Sequence, residues 1–193
     1  MPRHMKFSRL QSDDMENIPL RWMENHEINK LADLDRSELV KTSYRLETGQ
    51  LFTKPVDWNV PSFFLQGEGD HSLAEQIRFC QSHLEKGARL IGAFDGGKLV
   101  GIGIITPEVR PGMAQLAYLH VSEGYRRQGS ATRILQELIG WACEKGTRQI
   151  YVSATPSGSA VGFYLSQGFV PAEEPLPELF DLEPEDIHMI RRL

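Results

Sequence analysis

Between Met113 and Gly146 the chain runs through an apolar stretch, a tight basic turn and a long amphipathic segment. Gln115 to Val121 reads as a buried strand. Ser122 to Ala131 is the turn, with Arg126, Arg127, Gln128, Gly129 and Ser130 in it. Ile134, Leu135, Leu138, Ile139 and Ala142 then recur at helical spacing on one face. Gly146 is placed to end that helix, because glycine accepts the left-handed conformation found there. A strand feeding a helix through so short a turn restricts the chain to folds containing an α/β unit.

The same turn has a chemistry of its own. A helix N-terminus carries unpaired N–H groups and the positive end of the helix dipole. Gly129, Ser130 and Ala131 are small, so an anion can approach the backbone, and Arg126 and Arg127 add charge beside it. The turn is either a phosphate cradle or a solvated basic cap. No Gly-Lys-Ser or Gly-Lys-Thr occurs, and the dinucleotide fingerprint is missing from this turn, so a P-loop and a Rossmann loop are excluded. What stands there is R-x-x-G-x-A, as Arg126, Gly129 and Ala131. A second pattern runs from Ser157 through Ala160, Phe163 and Tyr164 to Gly168-Phe169, after an expected strand Gln149 to Ala154.

Together these resemble the two motifs of the GNAT superfamily of N-acetyltransferases, Q/R-x-x-G-x-G/A and N-x-x-A-x-x-F-Y-x-x-x-G-F, in the right order. The resemblance covers Ala88 to Phe169. It implies an acetyl-CoA co-substrate whose pyrophosphate sits on Arg126 to Ala131. It also implies a pantetheine arm paired with the backbone of Leu119, His120 and Val121, on a strand that bulges, and a gap between the fourth and fifth strands. Tyr164 is then the group that meets the departing thiolate. An ordinary phenol (pKa ~10) does not give its proton downhill to a thiolate (~8.5), so hydrogen bonding to the sulfur is the safer role. The alternative is a core tyrosine on a short helix. Ser157 replaces the usual Asn, keeping a donor and an acceptor with less reach.

Amine attack needs a neutral amine, hence a base. Glu108 is the leading candidate beside Tyr164, because it lies just past a strand end. His120, Asp35, Glu38 and a water relay are alternatives, and His188 is expected to be structural. No His, Cys and carboxylate spacing suits a metal.

The rest of the chain follows in order. Lys6 to Leu10 is an expected strand, and Asp13 or Asp14 starts a short helix reaching Ile18. Arg21 to Asp33 is expected to be helical. Glu38 to Leu46 and Leu51 to Thr53 form a hairpin. Pro55 to Asp70 is expected to be a loop holding Trp58, Phe63 and Phe64. Ser72 to Glu75 reads as a capping box. Arg89 to Phe94 and Lys98 to Thr106 flank the turn Asp95-Gly96-Gly97. Pro107 to Gly112 is expected to connect. Pro171 to Asp186 is rich in Pro and Glu, and Ile187 to Leu193 is a last strand.

The expected fold is mixed α/β, a mostly antiparallel central sheet flanked by helices. One N-acetyltransferase domain spans 1–193, with a core from about 88 and a variable acceptor-side part at about 6–87. At 193 residues it is long enough for a real core. The net charge of −5 argues against nucleic-acid binding and leans toward a cationic amine. Cys80 and Cys143 are expected to be buried thiols. No apolar run has membrane-spanning length and no signal-peptide core is seen, so the cytoplasm is the expected location.

The leading function is acetyl transfer from acetyl-CoA to a small-molecule primary amine by direct attack in a ternary complex. The alternatives are a silent acyl-CoA sensor, favoured by Ser157 and the missing base, and a protein lysine or N-terminal acetyltransferase. A homodimer follows from analogy alone.

Overall fold

The computed structural model describes residues 18–193 apart from residue 70. The expected strand Lys6 to Leu10 and the start of the following helix lie outside those residues. The described chain forms a seven-stranded sheet and a separate two-stranded ribbon. The strands are β1 (Leu20–Met23), β2 (Glu38–Glu47), β3 (Gln50–Val60), β4 (Arg89–Asp95), β5 (Lys98–Arg110), β6 (Met113–Val121), β7 (Gln149–Ala154), β8 (Val170–Pro171) and β9 (Ile187–Arg192). The helices are α1 (Leu73–Glu85), α2 (Ser130–Glu144), α3 (Gly158–Ser166) and α4 (Pro177–Phe180), with a 3-10 helix at Asn25–Asp33.

The large sheet has the order β1-β4-β5-β6-β7-β9-β8. All its neighbours are antiparallel except β6 and β7. Parallel pairing there follows from the crossover through α2, which returns the chain to the same end of the sheet. One face packs on α2 and α3 through Ile134, Leu135, Leu138, Val161 and Phe169. The other packs on the 3-10 helix and α1 through Ile28, Leu31, Cys80 and Leu84.

Close approach of α2 to β5 depends on two strand glycines. A Cβ at Gly103 would lie 2.4 Å from Ile134 Cγ2 and 2.7 Å from Leu138 Cδ1, and one at Gly101 would lie 3.2 Å from Ile134 Cδ1. A helix seated directly on a strand backbone needs that missing side chain.

Several expectations are corrected. Arg21 to Met23 is strand β1, paired with β4, not helix. Only Asn25–Asp33 is helical, because the edge of β4 takes up the preceding residues. β3 continues to Val60 through Pro55, where a loop was expected. A register shift lies between Val40 and Thr42, and a proline is tolerated at such an irregularity in an edge strand. β5 likewise extends through Pro107 to Arg110, with a second irregularity between Thr106 and Arg110. Ser72 is the N-cap of α1 but makes no capping bond. Its hydroxyl donates to the Gly67 carbonyl instead, at 2.9 Å. Cys80 is buried, its thiol pushed up to about 12 by burial, but Cys143 is exposed. Cys143 follows the buried Ala142 by one residue, about 100° around the helix and off the apolar face.

Replacing Gly103 by Ala is expected to force α2 off β5 and cost about 1–3 kcal/mol. Urea unfolding of the variant should show a lower midpoint with an unchanged slope.

Candidate active site

β6 and β7 pair over three residues only, Met113 with Gln149, Ala114 with Ile150 and Gln115 with Tyr151. Beyond Gln115 the strands part. β7 continues against β9 up to Ala154 with Ile187, and β6 continues against β5 up to Val121 with Gly101. β6 also bulges. Ile104 opposes Tyr118 and Ile105 opposes Leu116, so Ala117 is the extra residue. A bulge increases local twist, which turns the outer half of β6 away from β7. A wedge-shaped gap results. Its β6 edge, Leu116 to Val121, has no strand partner on the β7 side among the described residues.

The basic turn closes the β6 side of the wedge. Arg127 and Gly129 are both left-handed, at φ +61° and +80°. Nothing lies within 4 Å of where a Gly129 Cβ would project, so the backbone at the head of α2 is open to an approaching group. Arg127 is exposed. Arg126 is not free: its Nε donates to the Val121 carbonyl at 2.9 Å, and its guanidinium faces Glu38 at 3.2 Å. Arg126 therefore locks the turn to β2, and Arg127 supplies the accessible charge. Gln128 donates to the Gly124 carbonyl, and its Oε1 is buried without a partner. Ser130 is buried and Ala131 partly so, at the start of α2.

The β7 side of the wedge leads into α3. Ser157 caps that helix, accepting from the Ala160 N–H at 3.2 Å and lying 3.0 Å from Ser159 Oγ. It also bridges Ser43 of β2. Tyr44 N–H donates to the Pro156 carbonyl at 2.9 Å. β2 thus runs from the end of β6, at Glu38, to the end of β7, at Ser43, and straps the open end of the wedge. Gly158 permits that contact, since a Cβ there would sit 3.1 Å from Thr42 Cβ.

Tyr164 is 7% exposed, against Phe163 and Phe169. Burial raises its pKa, and the charge of Asp186 raises it further. Asp186 and Glu183 belong to the segment before β9. Burial pushes Asp186 up to about 7, with Glu183 adding to the shift. Glu183 is also raised by burial, which outweighs a hydrogen bond from Ser153. His188 anchors the segment. Its Nε2 donates to the Glu183 carbonyl at 3.1 Å, and its Nδ1 accepts from Tyr151 Oη at 2.8 Å.

The other proposed bases lie differently. Glu108 is exposed, at φ +50°, near Met113, Trp141 and Lys145. That is the end of β6 at which it pairs with β7. His120 sits on the wedge strand with Nε2 buried and without a hydrogen-bond partner among the described residues. Burial lowers it to about 3, with help from Arg126 and Arg36. Asp35 is lowered by hydrogen bonds from Ser37. Glu38 is paired with Arg126.

A family model described as the Acetyltransferase (GNAT) family matches residues 53–169. No curated protein sequence matches significantly. Among solved structures, nourseothricin acetyltransferase aligns at TM-score 0.67 and 17% identity, over 90% of this chain and 97% of that one. A candidate streptothricin acetyltransferase from Bacillus anthracis, in complex with acetyl coenzyme A, aligns at 0.66 and 17%, over 91% and 98%. The PaiA N-acetyltransferase from Thermoplasma acidophilum, in complex with coenzyme A, aligns at 0.60 and 14%, over 92% and 99%.

A lowered histidine has a stability signature. His120 binds protons more weakly folded than unfolded, so its contribution is complete above pH ~6.5 and is lost as pH falls toward its folded value. His120→Gln should therefore flatten the fall in unfolding free energy between pH 6.5 and 4, measured by denaturant titration at each pH.

Proposed function

Because the chain belongs to the GNAT family of acetyl-CoA-dependent N-acetyltransferases, we propose that it acetylates a small cationic primary amine by direct attack in a ternary complex. The observation that carries this reading is the wedge itself, with the buried Tyr164 on the helix that follows β7.

The residues present suit acetyl-CoA. An open left-handed Gly129 at the head of α2 accepts a pyrophosphate by backbone N–H groups, with Arg127 adding charge. The unpaired β6 edge accepts an amide-bearing arm as a strand accepts a neighbour. The Val121 carbonyl already accepts from Arg126, so the Leu119 backbone and the Val121 N–H carry more of that pairing. When bound, the thioester supplies an activated acetyl carbon. Ser157 is committed to capping α3, so its part toward the co-substrate is support of the helix that carries Tyr164. The Tyr164 hydroxyl, held above the ordinary phenol range, stays protonated and donates to a sulfur that is gaining charge.

The cationic acceptor is supported by charge. Ala172 to Asp186 contains seven carboxylates and no Lys, Arg or His. Two of the structural neighbours carry the names of small amines. No helix among the described residues is long and apolar enough to cross a membrane.

Tyr164→Phe should lower kcat at least tenfold and leave acetyl-CoA affinity unchanged by calorimetry; unaltered turnover removes Tyr164 from the chemistry. Gly129→Glu should abolish that affinity, since it puts bulk and negative charge where the pyrophosphate sits. Thiol release from acetyl-CoA with a panel of amines tests the reaction, and mass spectrometry names the product. Tight acetyl-CoA binding without any amine-dependent release argues for a sensor instead.

A further inference from the structure

We propose that the hydrogen bond between Tyr125 and Asp95 is the positioning contact that holds the basic turn in its anion-binding shape, so that Tyr125 sets the affinity for the pyrophosphate of acetyl-CoA. This rests on the reading of that turn as the pyrophosphate cradle and adds the residues that keep the cradle in shape.

The turn needs holding. Arg127 and Gly129 both sit at positive φ, +61° and +80°. Glycine tolerates that conformation, whereas an arginine in it is strained and stays there only where its surroundings impose it. Between them these residues bring the backbone to the head of α2, where Gly129 is open to an approaching group. A set of N–H donors serves an anion best when it converges before the anion arrives. Whatever fixes the backbone at Arg127 therefore fixes the cradle.

Two neighbouring side chains of the turn reach out to other elements. Arg126 goes to β2, at Glu38. Tyr125 goes to the β4–β5 hairpin, where its hydroxyl donates to Asp95 Oδ2 at 2.6 Å. That is the length of a bond between a hydroxyl and a carboxylate, which is stronger than one between neutral groups. Both residues are half-buried, and the Tyr125 ring packs on the core that α2 covers. The anchor is firm. Asp95 ends β4 opposite Lys98, in a hairpin closed by Gly96 and Gly97 alone. The same hairpin holds the start of the turn, since the Ser122 N–H donates to the Val100 carbonyl of β5 at 2.9 Å. It thus grips the turn at Ser122 and again at Tyr125, and the strained Arg127 stands two residues beyond the second grip.

The contact also engages a charge. Asp95 places a carboxylate one phenol ring away from a turn that receives an anion. Glu38 places another beside Arg126. Both are bound by donors of the turn itself. Without the Tyr125 hydroxyl the turn loses its second grip and Asp95 loses this partner while keeping its charge. Slack in the donor set and a stranded negative charge act in the same direction, against an anion.

Tyr125→Phe keeps the packed ring and removes the bond. Calorimetry should show CoA binding weakened about tenfold, the scale of one hydrogen bond to a charged group. Pantetheine, which has no pyrophosphate, should bind the variant as it binds the wild type. In turnover the loss should appear in the KM for acetyl-CoA and not in kcat. Adding Asp95→Asn to Tyr125→Phe removes the stranded charge and should recover part of the CoA affinity. Asp95→Ala alone should weaken CoA by a smaller factor than Tyr125→Phe, because the charge leaves together with the grip. A fold merely loosened by these changes would weaken CoA and pantetheine alike and show no recovery in the double variant. That result, or undiminished CoA affinity in Tyr125→Phe, overturns this proposal alone. If Gly129→Glu also leaves CoA affinity intact, the phosphate site is elsewhere and the cradle reading falls with it.

Discussion

The parting of β6 from β7 after the Gln115–Tyr151 pair is the constraint on which the site depends. Two parallel strands in the middle of a sheet ordinarily satisfy each other's backbone along their length. Here they stop after three residues, because each has a stronger commitment elsewhere. β6 follows β5 through the bulge at Ala117, and β7 follows β9 through six residues. The cost of unpaired backbone at Leu116 to Val121 is tolerable only if something else pairs with it. An extended, amide-bearing ligand arm would do so, as an added strand does at a sheet edge.

Everything placed at the mouth of the gap is held by contacts that cross it or flank it. β2 is tied at Glu38 to the turn after β6, and at Ser43 and Tyr44 to the turn after β7. Arg126 is the joint on one side. It satisfies the Val121 carbonyl and the Glu38 carboxylate at once. Ser157 is the joint on the other side, where it caps α3 and bridges β2. Two residues whose pattern points to ligand contact thus also hold the frame in which the ligand sits.

Much of that frame was legible in the sequence. β7 and the β6–turn–α2 unit follow directly from apolar spacing and the glycines at the turns. The hairpin around Gly96-Gly97 follows from its turn residues, both with positive φ. The N-terminal elements were not legible for physical reasons. Leu20–Met23 is strand only because an edge of β4 is free to receive it. Pro55 breaks the local signal of β3, although an irregular edge strand accepts it.

Three titrating groups show why burial alone does not assign a role. Burial lowers His120 and raises Tyr164 and Asp186, because in each case it favours the neutral form. The consequences are opposite. A histidine kept neutral without proton affinity is a poor base, a phenol kept protonated is a lasting donor, and a carboxyl brought toward neutrality becomes able to exchange a proton there. The two guanidiniums near His120 and the carboxylate of Glu183 near Asp186 separate these outcomes further. The basic turn with Arg127 thus stands on the β6 side of the wedge, and the acid-rich segment before β9 lies beyond β7.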